Sequence, residues 1–274
     1  MQAINDKHQR LIHIESPCIV LAGGSNLAFG IDSKAIQETL DIPVVNMGLH
    51  AGIGLGRILD DIAPFLHPGD ILVIAPEYPF FTSKRLLNGE SVAYDLVSAV
   101  HRYSLIMHVP IYGPPSEFST YVKNKGLALI PRPLNPRAYT RDGFNEYGDY
   151  VKHLGIENQP FSPDQSIEGI NQKYISAFFR LTDTFTTRGI QVIITYPGYE
   201  KNSFQNSSTL ISELDAAFRA KQNITVISSP EDYCFPADYF YDTAYHLNAK
   251  GREIRTARLI RDLKHHFRDS VTIQ

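Results

Sequence analysis

Five short apolar runs alternate with segments of helical period, and this alternation restricts the fold more than any other feature of the sequence. The runs are Cys18-Ile19-Val20-Leu21, Pro43-Val44-Val45-Asn46-Met47-Gly48, residues 71–75, Gln191-Val192-Ile193-Ile194-Thr195-Tyr196-Pro197 and Ile224-Thr225-Val226-Ile227. They are short, bounded by turn residues and poor in polar alternation, which is the pattern of parallel strands covered on both faces. Between them, residues 34–40 follow a cap at Asp32 or Ser33, and residues 52–65 carry Leu55, Ile58, Leu59, Ile62 and Phe65 on one face. Residues 165–188 repeat the pattern with Ile167, Ile170, Tyr174, Phe178, Leu181 and Phe185, and residues 210–221 form a further amphipathic segment. Residues 248–267 have Asn248 at the N-cap and a stripe of Ile254, Ala257, Ile260, Leu263 and Phe267, with the intervening Arg and Lys read as a solvated face. The expected fold is a three-layer α/β/α sandwich of one domain, residues 1–274, around a mainly parallel five-stranded sheet.

The rhythm breaks in the middle. Residues 92–109 read as a helix and a short apolar segment, and residues 110–163 are rich in Pro, Gly and Tyr with little periodicity. A compact α/β domain rarely carries so long a structureless connection, so an inserted lobe is expected there. Its Tyr112, Phe118, Tyr121, Tyr139, Phe144, Tyr147 and Tyr150 fit either the lobe's own core or an acceptor site, and core is the simpler assignment for most of them.

Composition narrows the function classes. With 26 Lys and Arg against 29 Asp and Glu, the formal charge of -3 gives no support to nucleic acid binding. Cys18 and Cys234 are too few and too distant for a disulfide framework or a metal cluster. No run is long enough to span a bilayer, and the polar residues 1–15 lack the apolar stretch of a signal peptide. The expectation is a chain with no integral membrane segment, cytoplasmic if complete and cell-envelope associated if a signal or anchor precedes it.

Chemistry concentrates just past the strand ends. Gly23-Gly24-Ser25-Asn26 follows the first run, Gly48 ends the second, and Pro76-Glu77-Tyr78 follows the third, so all three segments belong at the rim where α/β sheets bind ligands. The glycine pair permits a tight turn that presents the Ser25 hydroxyl and N–H, or it is simply a structural Gly-Gly-Ser turn. Near the other end, Asp242 and His246 lie four residues apart before the last helix. The carboxylate can hold one imidazole nitrogen and leave the other as a base, which a serine hydroxyl needs to become nucleophilic. Asp238 is an alternative acid, and each of the ten histidines also has a purely structural reading. The N–H groups of Ser25 and Gly48 are the candidate oxyanion donors. No Gly-x-Ser-x-Gly surrounds Ser25, which disfavours the α/β-hydrolase elbow.

Gly23-Gly24-Ser25-Asn26, Asn46-Met47-Gly48 and Asp242-x-x-x-His246-Leu247-Asn248 resemble the first, second and last blocks of the SGNH (GDSL-like) hydrolase and acyltransferase superfamily. The resemblance implies a flavodoxin-like fold, Ser25 as nucleophile, Gly48 as oxyanion donor, and His246 as base oriented by Asp242. It departs from the family in three places. Gly24 stands where Asp is usual, Pro76-Glu77-Tyr78 replaces the usual Gly-x-x-Asn, and the Asp-to-His spacing is one residue longer than the commonest form. The third oxyanion donor is then missing or supplied elsewhere, with Asn26 the obvious substitute unless its side chain caps a turn. The blocks look closest to the subgroup that includes teichoic-acid D-alanylation and alginate O-acetylation proteins, which implies an acyl ester on a carbohydrate or another cell-envelope molecule as substrate. A catalytically weak or inactive carbohydrate- or protein-binding module is the alternative.

His50, Glu77 and Tyr78 are further pocket candidates, each with a bland reading as a loop, ion-pair or packing residue. His265-His266 diverge on a helix and do not suit a metal. The spacing of Gly52-x-Gly54-x-Gly56 is wrong for a dinucleotide fingerprint. Neither cofactor nor metal is expected.

Overall fold

A computed structural model describes residues 3–82, 89, 119, 122–123, 140–167 and 169–271. The chain opens with helix α1 (Ala3–His13), then alternates strand β1 (Ile19–Gly23), a six-residue helix α2 (Ser25–Gly30), helix α3 (Ser33–Leu40), strand β2 (Val44–Asn46), helix α4 (Leu55–Ile62) and strand β3 (Ile71–Ala75). After the excursion come helix α5 (Gln172–Thr186), strand β4 (Gln191–Ile194), strand β5 (Tyr199–Glu200), helices α6 (Lys201–Asn206) and α7 (Ser208–Ala220), strands β6 (Thr225–Val226) and β7 (Cys234–Phe235), and helix α8 (Ala249–Val271).

The main sheet has five strands in the order β2-β1-β3-β4-β6, every neighbouring pair parallel. β1 and β3 are adjacent and in register, with Gly23 opposite Ala75, while the chain leaves β1 toward β2 on the other side. The crevice beyond β1 and β3 is therefore a topological switch point. Successive strand residues enter opposite layers. Ile19, Leu21, Val73 and Ile193 pack with Ile36 of α3 and Leu259 and Leu263 of α8. Val20, Ala22, Leu72, Ile74 and Val192 pack with Leu59 of α4, Phe178 and Phe185 of α5 and Leu214 of α7. Covering both faces explains why these strands read as unbroken apolar runs.

Three sequence expectations shift. Residues 165–171 precede α5, whose cap is Asn171, and the 52–65 helix is a short 3-10 turn, α4 and a second 3-10 turn at Ala63–Phe65. The buried face of α8 is formed by Arg252, Arg255, Thr256, Leu259, Asp262 and Leu263, whereas Ala257 is exposed. Two of the arginines assigned to a solvated face are therefore interior residues.

The expected helix at 92–109 lies outside the described residues, as do Tyr112, Phe118, Tyr121 and Tyr139 of the expected lobe. Residues 140–163 pack directly on the sheet domain. The Asn46 N–H donates to Tyr147 O (2.8 Å) and the Tyr150 N–H to Ala28 O (2.7 Å). Tyr150 is buried against Phe29 and Phe144, and Arg10 stacks over Tyr147. Cys18 is buried and Cys234 half-buried, and both are free thiols. Among the described residues no helix is long and apolar enough to cross a membrane.

Candidate active site

Ser25 is the first residue of α2, directly after β1 and the extended Gly24. The glycines preceding it do not adopt a left-handed turn. Gly24 has φ -80° and is needed for space, because a Cβ there would lie 2.3 Å from Glu77 Oε1. The turn thus depends on the close approach of β3's end to β1's end.

His246 arrives from a loop folded back on itself. The Tyr241 N–H donates to His246 O (2.7 Å), Phe240 pairs with Leu247, and Thr243 Oγ1 accepts from the N–H groups of Tyr245 and His246. Asn248 then caps α8, its Oδ1 accepting from the Gly251 N–H. These local bonds place the His246 ring flat on Phe29 of α2, with centroids 4.0 Å apart and planes 5° from parallel.

The resulting contacts run in series. Nδ1 of His246 lies 2.7 Å from Asp242 Oδ1, and Nε2 lies 2.8 Å from Ser25 Oγ. A carboxylate only accepts, so Nδ1 carries the proton and Nε2 accepts from the Ser25 hydroxyl. Ser25 is half-buried, and the side chains of His246 and Asp242 retain 17% and 35% of their exposure, so the row borders solvent. Asp238 is on the surface beside Lys250 and does not approach His246.

The other candidates fall elsewhere. Asn26 is fully buried and its amide is engaged, with Nδ2 donating to Ala75 O and Glu77 Oε1 and Oδ1 accepting from Arg255 Nη2. Its backbone N–H also goes to Glu77 Oε1 (3.1 Å). Asn26 therefore does not present a spare donor for an oxyanion. The Gly48 N–H donates to Asn46 Oδ1 (2.9 Å), which engages the second expected donor. The Ser25 N–H, in the first turn of α2, has no acceptor inside the helix. His50 is exposed and its Nδ1 accepts from the Gly52 N–H. Tyr78 packs in the core against Tyr199, which removes it from the pocket candidates. Glu77 is 6% exposed, and burial pushes its carboxyl up from the ordinary range while the two Asn26 bonds and His246 pull it down.

Sequence reasoning missed three buried ionic groups near the rim. Arg255 Nη1 donates to Asn26 O (2.6 Å), and burial pushes its guanidinium down to about 10. Lys7 Nζ donates to the carbonyls of Asn46, Gly48 and Gly148, and burial pushes it down to about 7 against the pull of Asp149. Asp149 accepts from Ser33 and from Asn46 Nδ2. His153, also missed, donates from Nε2 to Leu247 O (2.9 Å) among Phe29, Tyr150 and Tyr241, and burial pushes it down to about 4. The signal was present only for Arg255: its spacing from Arg252 and Leu259 fits one helical face, which hydropathy alone ranks as polar.

Among the described residues no three His, Cys, Asp or Glu side chains are grouped to hold a metal. The sequence matches no protein-family model, and no curated protein matches it.

Proposed function

We propose that this protein is a serine-dependent acyl hydrolase or acyltransferase of the SGNH type, with Ser25 as nucleophile, His246 as base and Asp242 as its orienting acid. The observation that carries the reading is the unbroken row from Asp242 through His246 to Ser25, with steps of 2.7 and 2.8 Å, at the switch point of a parallel sheet. The strand order matches that of flavodoxin-like sheets, in accord with the family the sequence resembles.

Chemically, Ser25 Oγ attacks the ester carbonyl as its proton passes to His246 Nε2, and Asp242 stabilises the imidazolium. The tetrahedral intermediate collapses by breaking the bond to the leaving alcohol, which takes the proton from His246. Water or an acceptor hydroxyl then attacks the Ser25 ester, with His246 taking that proton and returning it to Ser25 Oγ. The Ser25 N–H serves as the oxyanion donor. The substrate class remains that of the resemblance, an acyl ester on a carbohydrate or cell-envelope molecule.

The test is labelling with an alkyl fluorophosphonate followed by peptide mass spectrometry. Ser25 is the expected site, and Ser25→Ala abolishes labelling while the melting curve is retained. A different labelled serine in the folded protein would reject the assignment. The engaged donors of Gly48 and Asn26 favour a second reading, a binding module that keeps the site without turnover. Under that reading Ser25 stays unlabelled and short-chain acyl esters bind without release of acid.

A further inference from the structure

Asn26, the residue after the proposed nucleophile, is the centre of a buried relay between two charged side chains. On one side Glu77 Oε1, from the segment after β3, accepts the Asn26 N–H (3.1 Å) and Nδ2–H (3.2 Å). On the other, Arg255 of α8 donates to Asn26 O (2.6 Å) and Oδ1 (2.9 Å), and Nη2 also reaches Tyr196 O (3.2 Å). Asn26 is 0% exposed, Arg255 1% and Glu77 6%. The amide orientation is thereby fixed: its oxygen meets the cation and its nitrogen meets the carboxylate, and a flipped amide would face like with like.

The ends of α2 are shaped for this relay. A Cβ at Gly24 would lie 2.3 Å from Glu77 Oε1, and one at Gly30 would lie 2.6 Å from Arg255 Nη1. Neither glycine has a positive φ, so what their bare Cα supplies is room for the two charged groups. The far half of α2 is held separately, by the Tyr150 N–H on Ala28 O and Asn46 Nδ2 on Leu27 O. The relay therefore acts on the first turn, where Ser25 sits.

We infer that Glu77 and Arg255 are positioning residues that clamp Asn26 from both sides and so hold Ser25 Oγ within reach of His246. A six-residue helix has little stability of its own, so its first turn needs tertiary partners to keep one geometry. A small displacement of a nucleophile lowers turnover without altering substrate affinity, on the order of 100-fold for a shift of about 1 Å.

The kinetic part of the test rests on the serine chemistry proposed above, and the exchange part does not. With p-nitrophenyl acetate as probe, Glu77→Ala is expected to lower kcat about 100-fold with KM within about twofold, and Glu77→Gln, which keeps an acceptor oxygen, about tenfold. Gly30→Ala adds one methyl group and touches none of Ser25, His246 or Asp242, yet it displaces Arg255 and is expected to lower kcat about tenfold. In hydrogen exchange, peptides covering 24–30 lose protection in all three variants while those covering 71–75 and 191–194 keep theirs. Wild-type kcat together with wild-type protection at 24–30 in Glu77→Gln and Gly30→Ala overturns the inference. A raised KM at unchanged kcat also overturns it and makes Glu77 a substrate-binding group. If the wild-type protein does not turn over the ester, the acyl-chemistry reading fails while the exchange data still decide the clamp.

Discussion

Asn26 after β1 and Asn46 at the end of β2 are both buried, and each has a cation on its carbonyl oxygen and a carboxylate on its amide, drawn from different parts of the chain. At Asn26 a carboxylate takes the N–H and a guanidinium takes the carbonyl oxygen. At Asn46 the ammonium of Lys7 takes the carbonyl oxygens of Asn46 and Gly48, while Nδ2 divides between Leu27 O and Asp149. Glu77 and Arg255 come from elements that any such sheet brings to this rim, the end of β3 and the helix after the His246 loop. Lys7 and Asp149 come from α1 and from the 140–163 segment, outside the alternating core. The N-terminal helix and the end of the excursion therefore anchor the turn after β2, which their sequence position alone does not suggest.

The largest effect is expected from a change that leaves both turns intact. Asp242→Asn replaces a carboxylate that only accepts with an amide that can also donate, so the His246 tautomer is no longer fixed, and kcat/KM is expected to fall by up to about 10⁴-fold. Thermal stability is expected to stay near wild type, because Asp242 is only partly buried. This variant sets the scale for the others: loss of turnover without loss of structure. A near-wild-type rate in steady-state assays would remove Asp242 from the mechanism.

Lys7→Met attacks the Asn46 turn directly. It strips three buried carbonyl oxygens of their donor, while Asp149 keeps Arg252 Nη2 at 3.4 Å. Leaving a buried acceptor without its donor costs about 1–3 kcal/mol for each group. The expected result in denaturant melts is a loss of that size. Hydrogen exchange should rise first at 44–50 and 145–150, leaving 24–30 protected. Equal loosening of both turns would mean that Lys7 holds the two together rather than the Asn46 turn alone.

His153 joins the two sides, packing at a tilt against Phe29 of α2 while donating to the carbonyl of Leu247 beside His246. Burial pushes it from 6.5 down to about 4 in the folded protein. Between those values the unfolded chain binds the proton and the native one does not, so stability is present above pH 6.5 and is lost as the pH falls toward 4. The loss is on the order of 3 kcal/mol. His153→Phe abolishes this slope, and its own cost, the unpaired Leu247 carbonyl, does not vary with pH. Parallel wild-type and variant stability curves from pH 7 to 4 would show that another group controls acid sensitivity.

The strands and the Ser25, Asp242 and His246 positions were legible in the sequence for different reasons. Strands such as Ile71–Ala75 are buried on both faces, so hydropathy reports them without ambiguity. Asp242 and His246 are four residues apart, and a loop folded by Thr243 closes them locally. Lys7 and Asp149 were illegible because their burial depends on partners up to 141 residues away, and Arg255 was marked only by its helical spacing, since a buried cation carries no hydropathy mark. On α8 the expected stripe meets the core at Leu263 and in part at Ile254, Ile260 and Phe267, with Ala257 exposed, and the inward face also includes Arg252, Arg255 and Asp262, which hydropathy ranks as polar.

The smallest expected effect separates sequence proximity from structural engagement. Asp238 precedes His246 by eight residues and was the rival acid, yet its side chain is 67% exposed and its nearest cation, Lys250, is 3.7 Å away. Its backbone carbonyl is what the structure uses, accepting from Asn248 Nδ2 (2.8 Å) and Asn158 Nδ2 (3.3 Å). Asp238→Asn keeps that carbonyl and changes only a solvated charge, a type of change that rarely alters stability measurably. Turnover is expected to stay within about twofold of wild type and the melting temperature to be unchanged. A collapse of kcat/KM in Asp238→Asn beside a mild effect in Asp242→Asn would mean that the loop refolds on substrate binding and exchanges its two carboxylates. The 2.7 Å bond between Asp242 and His246 would then belong to the unliganded protein alone.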